Sequence, residues 1–349
     1  MSTMLRSFRV AVLCLGLALG LGGPAAAAEP VTVLPTMVAK SADAELWPSS
    51  PWIARRSELT VAIHRRADGA VVVGDLAGIE VYPEFAMLYR RAAAASEGGD
   101  DDMLIGAMAR DGRMLFPIED QIIAYFEVCQ CFLRAGKEGV RMFDLQGQPR
   151  TDLVFDDVRI RHRTTDRLWP VVRNDRYGVL DARTAQLVLP MEYDRARVQG
   201  DLILARDQED QWHAFDAQGR PIAGLGTVDD LVYWADAGLL IVDDQKLVAR
   251  DGKVVVPAGR YTDIKPAGKY AIVARNRKYG LIDQRGKELV APKYSAIAPA
   301  DEGADTGRFL VGLDGFQGGR YGMVDGTGRV LLPPIFEDVE HATADYETD

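Results

Sequence analysis

The four histidines of the chain are the first residues to test for metal binding or catalysis. They are His64, His162, His213 and His341, which lack metal-ligand spacing, and no G-x-S-x-G or P-loop sequence accompanies them. His162 lies among arginines, whose charge disfavours a protonated imidazole and hinders metal binding. We therefore predict a solvated basic strand there, with an anion site as the alternative. The sequence predicts no catalytic residue, metal ligand or cofactor.

The cysteines are the next candidates for chemistry. The chain has three, Cys14, Cys129 and Cys131. Segment 122–133 is predicted to be one strand, in which residues two apart share a face at nearly 7 Å, at or beyond the limit for an unstrained bridge. We therefore favour two buried, reduced cysteines over a strained redox pair.

A basic residue follows a predicted turn glycine at five places along the chain. If the segments that carry them stack or close into a ring, these side chains form a cationic stripe that could meet an anionic polymer such as a cell-wall glycan or a lipid head group. The alternative is ordinary use of Lys or Arg in exposed hairpin turns. The five candidate binding residues are Arg113, Arg220, Lys253, Lys287 and Arg329.

Aspartates also recur along the chain, and three of them lie three residues before glycines of this set. Calcium would need six to eight oxygen ligands per ion, more than one Asp in about 35 residues supplies. We therefore predict that each caps a turn by accepting backbone N–H groups. These aspartates are Asp144, Asp181, Asp216, Asp283 and Asp325.

The spacing of these residues reveals an internal repeat. Tyr-Gly, two apolar residues and Asp recur at 177–181, 279–283 and 321–325, and a Gly or Thr, an apolar pair, a Pro and an aromatic residue follow each. Weaker copies fill the gaps, and all copies together place the turn positions at 112, 147, 184, 219, 252, 286 and 328, a period near 35. A degenerate unit around Gly69 would make eight.

Each unit contains short β-rich runs separated by turn residues. In the unit around Gly286 the runs are 270–275, 279–283, 288–291 and 294–297, which predicts an antiparallel meander. The turn glycines would supply a positive φ. The recurring aromatics Phe155, Tyr193, Tyr261, Tyr294 and Phe336 are predicted to form a core ladder shared by neighbouring units. Outside the repeats, segment 84–95 is compatible with one short helix.

This pattern resembles the WG-containing repeat of bacterial proteins. The resemblance covers about residues 100–340, with Tyr in place of the usual Trp at 177, 279 and 321. His213 follows Trp212 where the repeat has Gly, which we interpret as a tolerated substitution. The resemblance implies a repetitive β architecture, often exported or envelope-associated, and it carries over no catalytic residues.

The segments outside the repeats complete the predicted organisation. Arg6 and Arg9 precede an apolar run at 10–21 that is too short to cross a bilayer, and four alanines end at Ala28. We expect a signal peptide at 1–28, an extended lead-in at 29–60, a β-repeat domain at 61–340 and an acidic tail at 341–349. No transmembrane segment is expected after cleavage of the leader, whose alternative is an uncleaved anchor.

These observations predict an all-β, propeller-like array of antiparallel meanders, with an open β-superhelix as the alternative. The 349 residues carry a net charge of -10, which argues against a general nucleic-acid binder. We expect a non-enzymatic binding or scaffold protein of the periplasm or extracellular space that engages a protein or an envelope polymer. The alternatives are an exported hydrolase whose site is assembled from different repeats and a structural protein without a discrete ligand.

Overall fold

The computed structural model describes residues 36–37, 43–57, 60–92, 103–160, 166–226, 228–300, 307–314 and 319–337. The predicted leader, Cys14, His162, His341 and the acidic tail lie outside these residues. Within them the chain forms 31 β-strands. A short 3-10 turn, Glu127–Cys129, connects the tenth strand to the eleventh.

The strands are short and follow one another through the whole described sequence. The first sixteen are β1 (Thr36–Met37), β2 (Asp43–Glu45), β3 (Trp52–Arg56), β4 (Val61–Arg65), β5 (Val71–Leu76), β6 (Gly78–Val81), β7 (Phe85–Arg91), β8 (Met103–Ala109), β9 (Met114–Glu119), β10 (Ile122–Phe126), β11 (Cys131–Gly136), β12 (Gly139–Asp144), β13 (Asp157–Val158), β14 (Leu168–Arg173), β15 (Arg176–Asp181) and β16 (Gln186–Tyr193). The others are β17 (Arg195–Gln199), β18 (Leu202–Arg206), β19 (Trp212–Phe215), β20 (Leu231–Trp234), β21 (Leu239–Val242), β22 (Lys246–Ala249), β23 (Val254–Val256), β24 (Asp263–Ala267), β25 (Tyr270–Arg275), β26 (Lys278–Ile282), β27 (Glu288–Tyr294), β28 (Ala296–Pro299), β29 (Arg308–Gly312), β30 (Tyr321–Asp325) and β31 (Val330–Phe336).

The described strands form eight small antiparallel sheets, which we number I to VIII along the chain. Sheet I is β2–β5, sheet II is β1 with β6–β9, sheet III is β10–β12, sheet IV is β13–β16, sheet V is β17–β19, sheet VI is β20–β23, sheet VII is β24–β27 and sheet VIII is β28–β31. This confirms the predicted all-β array of meanders. The hairpin around Gly69 joins β4 to β5, so the degenerate eighth unit is present.

Two sequence predictions differ from the observed elements. The 29–60 lead-in supplies β1, β2 and β3, so paired strands begin before residue 61. The helix considered for 84–95 is wrong, because β7 occupies Phe85–Arg91. Its residues from Phe85 to Leu88 are all buried, which is typical of a strand covered on both faces rather than of an amphipathic helix.

The repeat in the sequence is offset from the sheets. The predicted fourth run of the Gly286 unit, 294–297, is not the fourth strand of sheet VII. Strand β27 continues to Tyr294, which pairs with Tyr279, whereas β28 starts at Ala296 and pairs with β29 in sheet VIII. The predicted Gly286 unit therefore runs from the last three strands of sheet VII, β25–β27, into the first strand of sheet VIII.

The chain divides into two compact units, one up to Asp175 with Val179–Leu187 and the other comprising Arg176–Gly178 and the residues from Val188 onward. In each unit the apolar core lies between consecutive sheets. In the first unit, Phe116 of sheet II packs with Phe132 of sheet III. In the second, Trp234 of sheet VI belongs to the same core cluster as Ile264 of sheet VII. Sheets stacked in this way bury apolar surface only through their neighbours.

The predicted core ladder is partly observed. Phe155, Tyr261 and Tyr294 are buried, whereas Tyr193 and Phe336 are half-buried.

The turn between the third and fourth strands has the predicted construction. In sheet VII, one carboxylate oxygen of Asp283 accepts the backbone N–H groups of Arg285 and Lys287, both at 2.9 Å. Gly286 has φ +74° and donates its N–H to the Asp283 carbonyl. Asp144, Asp216 and Asp325 make the same pair of bonds to residues two and four positions later. Asp181, whose turn has one extra residue, accepts the N–H of Arg183 at 3.0 Å. The prediction of turn capping is thus confirmed.

The glycine that follows the repeated tyrosine has a separate structural reason. Gly280 lies at an irregularity in the pairing of β26 with β27, and a Cβ there would come 2.3 Å from the carbonyl oxygen of Val290. Gly178 and Gly322 meet the next strand in the same way, at 2.7 and 2.6 Å. His213 occupies this position in sheet V, where β19 pairs with β18 and meets the following segment only through a bridge between Phe215 and Pro221 and two further backbone hydrogen bonds. The absence of a continuous fourth strand beside His213 in this described part of the chain explains why a side chain is tolerated there.

Candidate binding surfaces

The five residues of the predicted cationic stripe occupy equivalent turn positions and are all exposed. Each backbone N–H is bonded to the side chain of a nearby aspartate, at residues 111, 216, 251, 283 and 325. Arg113 lies in the first unit, and Arg220, Lys253, Lys287 and Arg329 lie in the second. Their use as an anion-binding stripe stays a prediction.

The capping aspartates place negative charge beside the predicted stripe. Arg220 is the clearest case, because its Nε donates to Asp216 at 2.7 Å. Burial raises the pKa of Asp216, but the hydrogen bonds from Arg220 and Gln218 outweigh it and the pKa ends below its usual value. Paired charges of this kind weaken the positive potential that an anionic polymer would meet.

His213 contacts an acidic side chain across the β18–β19 hairpin. Its Nε2 lies 2.6 Å from Oδ2 of Asp207, and its ring lies 6.4 Å from that of Tyr193. The hydrogen bond to His213 is the main cause that lowers the pKa of Asp207. Within the described residues no Ser, Thr or Cys is hydrogen-bonded to His213, so this pair lacks the nucleophile of a hydrolase triad.

Cys129 and Cys131 form a disulfide, with their α-carbons 5.1 Å apart. The interpretation as two reduced thiols on one strand is therefore wrong. Segment 122–133 is not one strand: β10 ends at Phe126, a 3-10 turn follows, and β11 begins at Cys131. The turn brings the two α-carbons closer than an extended chain allows. Arg150 supports the turn by donating to the Cys129 carbonyl at 2.7 Å.

A cleft in the first unit lies next to this disulfide turn. It has a volume of 120 Å³ and lies between the β6–β7 turn of sheet II and the β10–β11 turn of sheet III. We call it the tyrosine–glutamate cleft. Its lining residues are Tyr82, Pro83, Glu84, Phe85, Tyr125, Glu127, Gln130 and Leu145.

Aromatic contacts fix one wall of the tyrosine–glutamate cleft. Tyr82 is stacked on Phe85 with ring centroids 4.5 Å apart, and Tyr125 meets both rings edge-on at 5.3 and 4.9 Å. Phe85 is buried and also contacts Phe132 of the core at 4.7 Å. The indole N–H of Trp47 donates to the Tyr82 carbonyl at 2.6 Å. The wall is thus anchored to the core of the first unit.

Four polar side chains of the cleft have no partner among the described residues. The hydroxyls of Tyr82 and Tyr125 and the carboxylates of Glu84 and Glu127 make no hydrogen bond or ion pair with another described residue. Burial, followed by the charges of Glu80 and Tyr125, raises the pKa of Tyr82 to about 12. Burial and then Glu127 also raise the pKa of Tyr125. At neutral pH the cleft therefore presents two neutral phenols and two exposed carboxylates.

The sequence analysis missed the tyrosine–glutamate cleft because its residues do not recur. Tyr82 and Glu84 come from one sheet and Tyr125 and Glu127 from the next, at turns that the repeat pattern leaves variable. The available signal was the C-x-C sequence, which interrupts the apolar run where the turn of sheet III forms. Even so, the distance between the two turns follows from stacking of the sheets, which a single period does not specify.

The described residues contain no group of three or more His, Cys, Asp or Glu side chains arranged to hold a metal ion. None of the helical structure in these ranges is long and apolar enough to cross a bilayer.

Comparison with known proteins finds one family. The model of the WG containing repeat matches residues 279–311 and 321–344. No curated protein matches the chain. Among solved structures, a eukaryotic initiation factor is 12% identical, with coverage of 83% of this chain and 87% of the other and a TM-score of 0.35. The C-terminal WD40 domain of Sif2 is 12% identical over 73% and 81% of the two chains, with a TM-score of 0.26. Hsv2p of Kluyveromyces lactis is 9% identical over 67% and 71%, with a TM-score of 0.26.

Proposed function

The C-terminal part of this chain belongs to the WG-containing repeat family, and from this premise we propose that the protein is a non-enzymatic binding protein, exported to the periplasm or the extracellular space, that engages another protein or an envelope polymer. The observation that carries the proposal is the tyrosine–glutamate cleft. Its unpartnered polar groups come from two successive sheets at positions that the repeat does not repeat. A rigid β scaffold that presents such loops is a common way to build a binding site.

Two features support export. The N-terminal sequence has the positive, apolar and small-residue regions of a secretory leader. The Cys129–Cys131 disulfide is of a kind that persists in oxidising compartments and is rare in the cytosol.

The geometry favours binding over hydrolysis. A carboxylic acid that acts as a general acid near neutral pH is usually buried, so that it holds its proton. Glu84 and Glu127 are both exposed. His213 has an acidic partner but no hydrogen-bonded nucleophile among the described residues.

Export is tested by expressing the full chain with a C-terminal tag in a Gram-negative host and sequencing the N-terminus of the product in each fraction. We expect a product that begins after Ala28 in the periplasm or the medium. Intact chain that begins at Met1 and stays in the cytoplasm would contradict the proposal.

Binding is tested by immobilising the folded chain and exposing it to solubilised envelope and secreted proteins. An unrelated protein of similar negative charge serves as the control surface. The proposal predicts a component that is retained only by the folded chain and that, once purified, binds saturably without being converted. Retention equal to the control, or turnover of the retained component, counts against it.

A further inference from the structure

We infer that the tyrosine–glutamate cleft accepts the basic side chain of a partner protein, a lysine ammonium or an arginine guanidinium. This inference rests on the proposed binding function and names the ligand class at its site. The proposed function left two classes of partner open, a protein or an envelope polymer. The negative charge of the cleft favours a basic protein over an anionic polymer.

The volume of the cleft limits what can enter. Sites for whole drug-sized ligands occupy about 300–1,000 Å³. At 120 Å³ the cleft admits a head group rather than a whole ligand of that size. The head group must therefore belong to a larger molecule that stays outside, as a side chain does when a protein surface docks.

The charge of the cleft selects a cation. Glu84 and Glu127 bring two carboxylates, and no Lys, Arg or His is present among the described lining residues. Neither carboxylate has an ion-pair partner elsewhere in the described ranges. A basic side chain would supply that partner through charge-assisted hydrogen bonds. An anionic group would instead meet two like charges.

The aromatic wall adds a second attraction for a cation. The faces of tyrosine rings attract ammonium and guanidinium groups within about 6 Å. This protein already uses such pairs internally: the guanidinium of Arg197 lies 4.7 Å from the ring of Trp212, and that of Arg260 lies 5.2 Å from the ring of Tyr261. In the cleft, Tyr82 and Tyr125 have no such cation among the described residues.

The disulfide turn gives the cleft a defined shape before binding. Glu127 and Gln130 lie on the turn that the Cys129–Cys131 bridge closes, and Gln130 adopts a positive φ of 48°. The Gln130 side chain also donates to the Glu127 carbonyl at 3.3 Å. A preformed site loses less conformational entropy when the partner docks. The net charge of -10 would in addition speed the approach of a basic partner.

The test uses the full chain and two fluorescein-labelled peptides that alternate glycine with arginine or with citrulline. Citrulline keeps the shape of arginine and removes its charge. Affinities are measured by fluorescence anisotropy at about 0.15 M salt. We expect the citrulline peptide to bind at least about tenfold more weakly, a loss of about 1.4 kcal/mol.

Two matched double variants separate the cleft from the overall charge of the protein. Glu84→Gln/Glu127→Gln removes both carboxylates of the cleft, and we expect it to weaken binding of the arginine peptide by at least about tenfold. Glu138→Gln/Asp152→Asn removes the same charge from exposed positions of the first unit outside the lining, and we expect a change below about twofold. Circular dichroism checks that both variants fold.

Three results would overturn the inference: no binding of the arginine peptide, equal binding of the citrulline peptide, or equal losses in the two double variants. Binding of the neutral oligosaccharide chitotetraose in competition with the arginine peptide would also overturn it, since the cleft would then recognise a ligand without positive charge. If the cleft fails but the folded chain still retains a specific envelope component, the proposed binding function survives. If neither binds, both fail.

Discussion

Gly328 in the turn of sheet VIII lies against the backbone of Leu289 in sheet VII, so that a Cβ at residue 328 would come 2.3 Å from the Leu289 carbonyl oxygen. Gly286 in sheet VII also approaches sheet VI, with Cγ2 of Val256 at 2.7 Å and the carbonyl oxygen of Val255 at 3.3 Å from its added Cβ. The turn glycine therefore has two separate roles. It supplies the positive φ of the turn, and it allows the turn to contact the outer strand of the preceding sheet.

Gly328→Ala tests whether this close approach stabilises the stack. Both roles are lost in this variant, so we expect a cost of about 3 kcal/mol, which combines left-handed strain with overpacking. Gly259→Ala is the matched control, because Gly259 has φ +82° but nothing within 4 Å of an added Cβ. We expect about 1 kcal/mol there. Urea unfolding of the full chain measures both, and equal losses would show that only φ matters.

The sequence predicted one of these two roles and not the other. The Gly286 turn has local causes, an aspartate that caps and a glycine that tolerates positive φ, so the order of residues was enough to predict it. The contact of Gly328 with Leu289 joins two sheets, and a single period carries no information on how they stack. Thr184 was taken as the turn residue of sheet IV for a different, local reason. The extra residue in that turn moves the positive φ to Ala185, at 57°.

The glycine of the Tyr-Gly pair offers a different test. Gly280→Ala would place a methyl group 2.3 Å from Val290 O and 2.7 Å from Pro292 N, so β27 must shift away from β26. We expect a loss of about 2 to 3 kcal/mol in unfolding free energy. Gly136→Ala is the control, since it also lies in a strand, β11, and nothing is within 4 Å of an added Cβ. A loss at Gly280 no larger than at Gly136 would contradict the proposed steric cause.

The disulfide predicts a response to reducing agents. Closing a loop of this length stabilises a fold by about 1 to 2 kcal/mol in the chain-entropy treatment. We therefore expect a reductant to lower the melting temperature of the wild-type chain. Cys129→Ala/Cys131→Ala should start lower and show no response to the reductant. Equal responses in both proteins would mean that the reductant acts elsewhere.

The tyrosine–glutamate cleft could not be predicted from the repeat pattern. The repeat explains what recurs, such as the Asp and Gly of the turns, and a binding site has to depart from it. Tyr125 and Glu127 lie where the β10–β11 connection contains a 3-10 turn and a disulfide. The strand predicted over this segment followed from its apolar composition, which does not reveal a reversal stabilised by a covalent bond and by Arg150.

Acid should weaken the first unit through Asp181, which is 2% exposed. Burial raises its pKa, but hydrogen bonds from the Arg167 guanidinium and from the N–H of Arg183 outweigh that effect and leave the pKa below its usual value. In the unfolded chain an aspartate has a pKa of about 3.9. The ionised form is therefore favoured by folding. Its contribution is complete above the unfolded pKa and disappears as the pH falls through the lower folded pKa.

Asp181→Asn checks this sign. The variant loses the ion pair with Arg167, so we expect it to cost about 1.5 to 3 kcal/mol at pH 7. The difference from wild type should shrink as the pH falls below about 4, because the unfolded wild-type chain then binds a proton at Asp181, and it should be smallest below the lower folded pKa, where the folded carboxyl is neutral too. Asp314→Asn removes a carboxylate paired with Arg320 in which both side chains are at least half exposed, and it should change stability by less than about 1 kcal/mol. Urea midpoints from pH 2 to 7 measure these differences, and a penalty at Asp181 that stays constant over that range would mean that its ionisation is not what stabilises the fold.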